Sequence, residues 1–546
     1  MPLRSLGHRA PLLWLAAPFA IGLVGGRCGL APVNLPLTLG AATALVGLAV
    51  FAAYRARRLW PWALAMSMVC AGLASYTLHR RPLPEWADLP TREVRLEIEV
   101  ERVFQQSSPE RISGLAVVVG TDPHLRELAG QRLYFKLRLA QGQPVPLRSA
   151  VLEARGVWKR IPDSAAAGSF DRFLADAGVN FSLNRGRVLR EVREATRYRR
   201  FCARAAERLH TILGEGIAER RPELAGVLRA MLLGQQSELS EEQTRLFRQS
   251  GTMHLFAISG LHIGVIAVAL HALLALLRLP IWVRLPVSLV ALWFYVDVTG
   301  LAPSAVRSFL MVAWVEVALA WKRPINPVAT LIGAALVVLA VDPLQFFTAS
   351  FLMSYGIVAA LILIGLPLAE TWQQRWQPFA LLPKNTWRWW HRLGDTAWQW
   401  GSTAVAIGLA TTPVSWICGV HFFKLLTPGA FFANLVLIPA SSLAILSGFM
   451  SMLVGLVGWS AGAGIFNFAA ATILHGIDAS VRGFVAVPGS HVAGQFRADW
   501  IGPAALGAMI AACVAGYAGG WTRRVGYWWP PVAVLAGALL FGVKWG

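Results

Sequence analysis

Apolar and polar positions divide the chain into three parts. Apolar runs at residues 11–30, 35–54 and 61–78 are each long enough to cross a bilayer as a helix. The first follows Arg4, His8 and Arg9 as the apolar part of a signal peptide would, yet no cleavage site follows it and the next run begins by Leu35, so a retained helix is expected. Apolar runs return only from Met253, at about 253–277, 284–299, 304–321, 327–341, 346–368, 402–422, 429–457, 461–480, 501–520 and 527–543. Pro428 and Pro439 interrupt the pattern around 429–457, which reads as one long, one re-entrant or two crossings. The stretch just before Met253 predicts a short polar helix: Ser240 and Gln243 make a capping box, and Gly251 suits the left-handed residue that ends a helix.

Between the two apolar sets the period changes from helical to two. VRLEIEVERV (94–103), LAVVVG (115–120), RLYFKLRL (132–139), VLEARGVWKR (151–160) and VNFSL (179–183) predict five short strands, enough for a small β-barrel. Pro82, Pro84 and Pro90 mark the linker into it. In the third strand Leu133, Phe135, Leu137 and Leu139 form one face, and Arg132, Tyr134, Lys136 and Arg138 the other. That basic and aromatic face, joined by Lys159, fits capture of a single nucleic-acid strand, since cations track phosphates and rings stack on bases. From the pattern alone, a solvated outer face with an incidental Tyr is the plainer reading. The basic stretch 185–204 reads as a helix on anionic headgroups or as one side of a nucleic-acid entrance. The loop 371–402, rich in Trp and cations, reads as an interfacial belt or as a stacking platform.

Composition fixes the class. With 56% hydrophobic residues, 14% charged and a mean hydropathy of +0.53, the chain is excluded from the soluble globular class. A net charge of +21 calls for an anionic partner, lipid headgroups or nucleic acid. Orientation follows from the cations: Arg55, Arg57 and Arg58, then Arg278 and Arg284, Lys322 and Arg323, and Arg375, Lys384, Arg388 and Arg392 all fall in cytoplasmic loops if the barrel is outside. The five scattered cysteines give neither a disulfide framework nor a zinc spacing, and no metal or cofactor is expected.

Ionisable groups at membrane depth are functional candidates by default. If one helix runs on from Met253, His262 lies about 80° and Ser259 about 140° from His254, so the three share a side. Asp297, Arg307 and Glu316 follow in FYVDVTGLAPSAVRSFLMVAWVEVA, where Gly300 and Pro303 predict a turn between two helices. Pro303 suits the first position of the second helix, whose free amides and positive dipole end, with Ser304, Arg307 and Ser308, suit a passing phosphate. An Arg307 ion pair with Asp297 or Glu316 is the structural alternative. Ser259 and His262 invite a hydrolase reading, but no oxyanion-hole motif or orienting group accompanies them. Gly260 and Gly264 instead suit close helix packing.

Five blocks, GSFDRFLADAGV (168–179), MLLGQQSELSEEQTRLFRQSGTMHLFAISGLHIG (231–264), TGLAPSAVRSFLM (299–311), DPLQFFTASFLMSYG (342–356) and TTPVSWICGVHFFKLLTPGAFFANLVLIP (411–439), resemble in sequence and order the ComEC family of competence proteins. That resemblance, most specific at SGLH, covers the outer domain to about residue 440. It implies a polytopic α-helical membrane protein with a small extracytoplasmic OB-like β-barrel inserted after the third helix. The expected divisions are 1–79 (N-terminal helices), 80–184 (OB-like domain), 185–222 (basic amphipathic connector), 223–480 (channel domain) and 481–546 (C-terminal helices). The implied function is an inner-membrane channel, not an enzyme, that translocates single-stranded DNA into the cytoplasm during natural transformation, with the barrel on the periplasmic side. His254, Ser259, Gly260, His262, Arg307, Asn434 and Pro439 are implied as pore or scaffold positions. Expected partners are single-stranded DNA, the lipid membrane, a DNA receptor, a separate nuclease and a cytoplasmic motor, because no GxxxxGK[ST] sequence is present. Two departures stand out: the first block reads GSFD where the family has a PGGFD-like form, and no HxHxDH motif of the family's nuclease-like domain occurs, so a nuclease role is not carried over. The runner-up is a permease for a small anionic or polar lipid-linked solute.

Overall fold

The computed structural model describes residues 12–29, 34–55, 59–80, 91–104, 110–121, 123–140, 142–162, 169–519 and 529–545. Arg4, His8, Arg9, Arg57, Arg58, the prolines at 82, 84 and 90, and Gly168 lie outside the described residues. Three helices come first, α1 (Leu13–Arg27), α2 (Leu35–Arg55) and α3 (Trp60–His79). α1 and α3 cross where Gly22 and Gly72 meet, so closely that a Cβ on either would strike the other helix's backbone.

The barrel expected after the third helix is present and closed. Its strands are β1 (Arg92–Phe104), β2 (Arg111–Thr121), β3 (Arg132–Arg138), β4 (Val151–Arg160) and β5 (Phe181–Arg193), in the order β1-β2-β3-β5-β4 with β1 pairing back onto β4. Only the β3–β5 pair is parallel. Leu133, Phe135 and Leu137 point inward as their alternation requires, onto a core with Leu96, Ile98, Leu152 and Phe181. Trp158 packs on Phe181 with ring centroids 4.5 Å apart. The barrel extends past the expected boundary at 184, because β5 keeps pairing with β4 as far as Val151↔Arg193. The basic stretch 185–204 is therefore split between a strand and the helix α5 (Arg197–Ile212).

A short helix, α4 (Phe170–Asp176), capped by the Ser169 hydroxyl, joins β4 to β5 and seats the barrel on the membrane part. Asp176 accepts from Arg27 of α1 at 2.6 Å, Arg132 reaches Glu101 at 3.2 Å and Asp342 at 3.7 Å, and Gly178, at φ +75°, meets the Leu344 side chain. Arg132 is thus committed to the seat.

From α5 the chain runs through α6 (Pro222–Leu233), α7 (Glu241–Gln249), α8 (Gly260–Leu276), α9 (Ile281–Val298), α10 (Pro303–Ala320), α11 (Pro327–Val341), α12 (Ala349–Ala360), α13 (Leu366–Arg375), α14 (Trp389–Cys418), α15 (Ala430–Leu456), α16 (Ser460–Ala486), α17 (Ile501–Gly519) and α18 (Trp529–Gly542). Among the described residues eight helices are long and apolar enough to cross a membrane, with α12 and α13 joined into one by a π turn at Leu361–Gly365. The chain is a multi-pass membrane protein. α7 carries the expected capping box, Ser240 with Gln243, and Gly251 has φ +72°. The ambiguous run 429–457 is one helix, α15. The loop expected at 371–402 is largely helical, since α14 begins at Trp389. Three short strands that the apolar pattern concealed, Leu425–Leu426, Val492–Phe496 and Val543–Trp545, make a small sheet that joins the C-terminal segments.

Candidate functional site

The apolar run from Met253 is not one helix. Residues Met253–Phe256 form a 3-10 turn, Ala257 to Ser259 are extended, and α8 starts at Gly260. His254 therefore does not share a helix face with Ser259 and His262; it is exposed on the turn, with Nδ1 3.1 Å from the Gly251 carbonyl. Extended backbone among apolar helices needs partners inside the protein, and Ser304 of α10 supplies one by donating to the Ile258 carbonyl at 2.6 Å. Leu255, Phe256 and Ile258 are buried around it.

Ser259 caps α8. Its amide donates to His262 Nδ1 at 3.3 Å, and its hydroxyl lies 3.1 Å from the same nitrogen. One imidazole nitrogen thus receives both groups, which leaves the proton on Nε2. No carboxylate among the described residues orients this ring, so the pair has the geometry of a helix cap and lacks the third member of a catalytic triad.

The α9–α10 junction forms as expected, with Gly300 at φ +88° and Pro303 at the first position of α10. Its charged residues are partnered differently. Asp297, with its side chain 2% exposed, pairs with Arg199 of α5. Glu316 accepts from Ser288 of α9 at 2.9 Å and lies 2.8 Å from His271 Nε2 of α8. Neither carboxylate serves Arg307. That guanidinium is 1% exposed and spends one nitrogen, Nη2, on the Ser350 carbonyl and hydroxyl, both at 2.8 Å. Its Nε and Nη1 have no hydrogen-bond partner among the described residues, nor has the buried Tyr355 hydroxyl on α12.

These contacts gather Ser259, His262, Ser304 and Arg307, with Ser308 and Ser350, at the starts of α8, α10 and α12. This is the barrel's end of the bundle, because Asp342, which Arg132 reaches, immediately precedes the Pro343–Phe347 turn leading into α12. Asn434 lies one turn into α15, and its side-chain oxygen is buried without a hydrogen bond among the described residues. His262 and Arg307 are 0% and 1% exposed, so neither touches open water in this conformation.

On the barrel, Tyr134 lies against Phe170 of α4, centroids 5.1 Å apart, and near Phe104, so its ring is covered by protein. Lys136, Arg138 and Lys159 are exposed. Sequence alone misses a larger feature. Strand register sets Arg111 opposite Arg138, Arg138 opposite Arg187, Arg187 opposite Arg155, and Arg155 opposite Arg95, a row of exposed arginines crossing all five strands. Glu93 takes Arg155 at 2.7 Å, and Glu153 takes Arg95. Arg111, Arg138 and Arg187 have no ion-pair partner among the described residues. Like charges directly opposite on one face of a sheet repel, so such a row suits a polyanion laid across it. Among the described residues no group of His, Cys, Asp and Glu suits a metal ion.

Comparison with known proteins adds the following. The family model described as "Competence protein" matches residues 231–519, more than half of the chain. ComE operon protein 3 of Bacillus subtilis (strain 168) is 30% identical over 145 residues, 26% of this chain and 18% of that protein. Competence protein ComA of Neisseria gonorrhoeae is 38% identical over 148 residues, 25% of this chain and 21% of that protein. The matches span about a fifth of the length of these curated relatives. No solved structure matches.

Proposed function

The chain belongs to the competence protein family, and from that premise we propose that it is a bacterial inner-membrane channel through which one strand of DNA enters the cytoplasm during natural transformation. The observation that carries the proposal is Arg307. A guanidinium buried in a membrane helix bundle without a carboxylate is costly, because low dielectric penalises an uncompensated charge. The carboxylates of α9 and α10, Asp297 and Glu316, are engaged elsewhere, with Arg199 and with His271 and Ser288. The missing counter-charge is supplied by a passing phosphodiester, met by Arg307, the Tyr355 hydroxyl and the free amides at the starts of α8 and α10. His262 and Asn434 line the same route once the bundle opens. The barrel faces the periplasm, and its arginine row, with Lys136 and Lys159 beside it, collects the strand before it reaches the seat at Asp342.

A DNA receptor, a separate nuclease and a cytoplasmic motor complete the pathway. A permease for a small anion would use Arg307 equally well. The row of arginines across five strands favours the long polyanion, since a small solute has no use for it. The test is a deletion strain complemented with variants and given labelled DNA: Arg307→Ala and His262→Ala each abolish uptake at wild-type abundance. Normal uptake in both would remove the assigned route.

A further inference from the structure

Glu316 lies on α10 nine residues beyond Arg307, which at 1.5 Å and 100° per residue puts it about 13 Å farther along and on the opposite face. Its side chain is 3% exposed. Oε1 receives the Ser288 hydroxyl at 2.9 Å and lies 2.8 Å from Nε2 of His271, whose side chain is 28% exposed. Oε2 is buried with no hydrogen-bond partner among the described residues.

Among the described residues no other ionisable group around α10 forms an ion pair with this cluster. α8 adds only His262, held in its cap with Ser259. α9 adds Arg284, one turn before Ser288, whose Nε is buried with no hydrogen-bond partner and which forms no ion pair with Glu316 among the described residues, Tyr295, whose hydroxyl donates to the Leu232 carbonyl at 2.6 Å, and Asp297, held by Arg199. α11 carries no ionisable side chain, and α12 offers only Tyr355. With a neutral imidazole the cluster holds one net negative charge in a low-dielectric bundle, and a single added proton cancels it.

We propose that Glu316, His271 and Ser288 form an intramembrane proton-binding site, and that loading and unloading it shifts α10, the helix that also carries Arg307. A proton arrives at Nδ1 of His271, the Nε2 proton passes to Oε1 of Glu316, and imidazole and carboxyl are both left neutral. Unloading reverses the two transfers and consumes no other reactant. The shift of α10 rests on the channel proposed above; the proton site does not.

Two measurements test it on the full chain. With ring-15N-labelled histidine in nanodiscs, the His271 signals, assigned by their loss in His271→Gln, change tautomer or charge as protons are added over the pH range in which the protein stays folded. Glu316→Gln abolishes that change while the His262 signals stay in place. A wild-type His271 that does not respond, or an identical response in Glu316→Gln, overturns the proton site. In vesicles, an inward proton gradient speeds entry of a fluorescent single-stranded oligonucleotide several-fold, and Glu316→Gln keeps the rate without a gradient but shows no acceleration. Equal acceleration in both overturns the coupling. If no oligonucleotide enters under any condition the channel itself fails, and the histidine spectra still decide the proton site.

Discussion

Arg307 shows how a residue's surroundings separate a structural role from a functional one. A guanidinium that held helices together would repay its burial through an ion pair, and its loss would unfold the bundle. Arg307 instead leaves two nitrogens unsatisfied, each worth about 1–3 kcal/mol against the fold. Arg307→Met is therefore expected to melt at or above the wild-type temperature in detergent while losing DNA uptake. A large drop in melting temperature would make it a structural cation. On the barrel, Glu153 is hydrogen-bonded first by Arg95 and then by Arg190, which holds its carboxyl below the ordinary range. Because the folded value lies under the unfolded one, this stabilisation is fully present above about pH 4.3 and is lost as the pH falls through the folded value. Hydrogen exchange in β4 should therefore lose protection in acid in the wild type, and Glu153→Gln, weaker at neutral pH, should change far less. The residue types at these sites were legible in the sequence and their partners were not. Arg199 and Asp297 are 98 positions apart, and nothing in either segment's pattern links them.

Elements carry the next level of constraint. The break before α8 escaped detection because hydrophobicity continues through Met253–Ile258, and an apolar run has the same composition whether helical or extended. Its physical marker was the SG pair, Ser259 as cap and Gly260 as first helical residue, which also signals close packing. Capping boxes, Pro303 at a helix start and the alternating strands were all readable, since each depends on neighbours within a few positions. The Arg199–Asp297 pair fastens the connector α5 to the end of α9. Removing one partner of such a buried pair costs about 3–5 kcal/mol, whereas replacing both with apolar residues is close to neutral. Asp297→Ala should therefore lower the melting temperature sharply and Arg199→Met with Asp297→Leu should restore most of it. Equal destabilisation by the single and double changes would mean that α5 is held by other contacts.

At the scale of the whole molecule, the barrel and the family blocks were legible because they rest on periodicity and local order, while the helix count stayed open where Pro428 and Pro439 interrupt the apolar run. The arginine row was not, because it exists only through register: Arg95, Arg111, Arg138, Arg155 and Arg187 stand at unequal intervals in the chain and meet only across strands. If it collects a single strand, replacing Arg111, Arg138 and Arg187 together with Gln should lower the slope of log affinity against log salt by about 2, at roughly 0.7 per phosphate contact. An unchanged slope in nanodisc-held protein would assign the row to lipid headgroups. β1 closing onto β4 has a further result. A sheet that bends round to meet itself keeps no free rim, so a neighbouring chain finds no unpaired backbone to extend and has no way to graft itself on as a sixth strand. Among the described residues the domain therefore offers copies of itself no strand edge to extend, and the face of the sheet meets a ligand through its side chains.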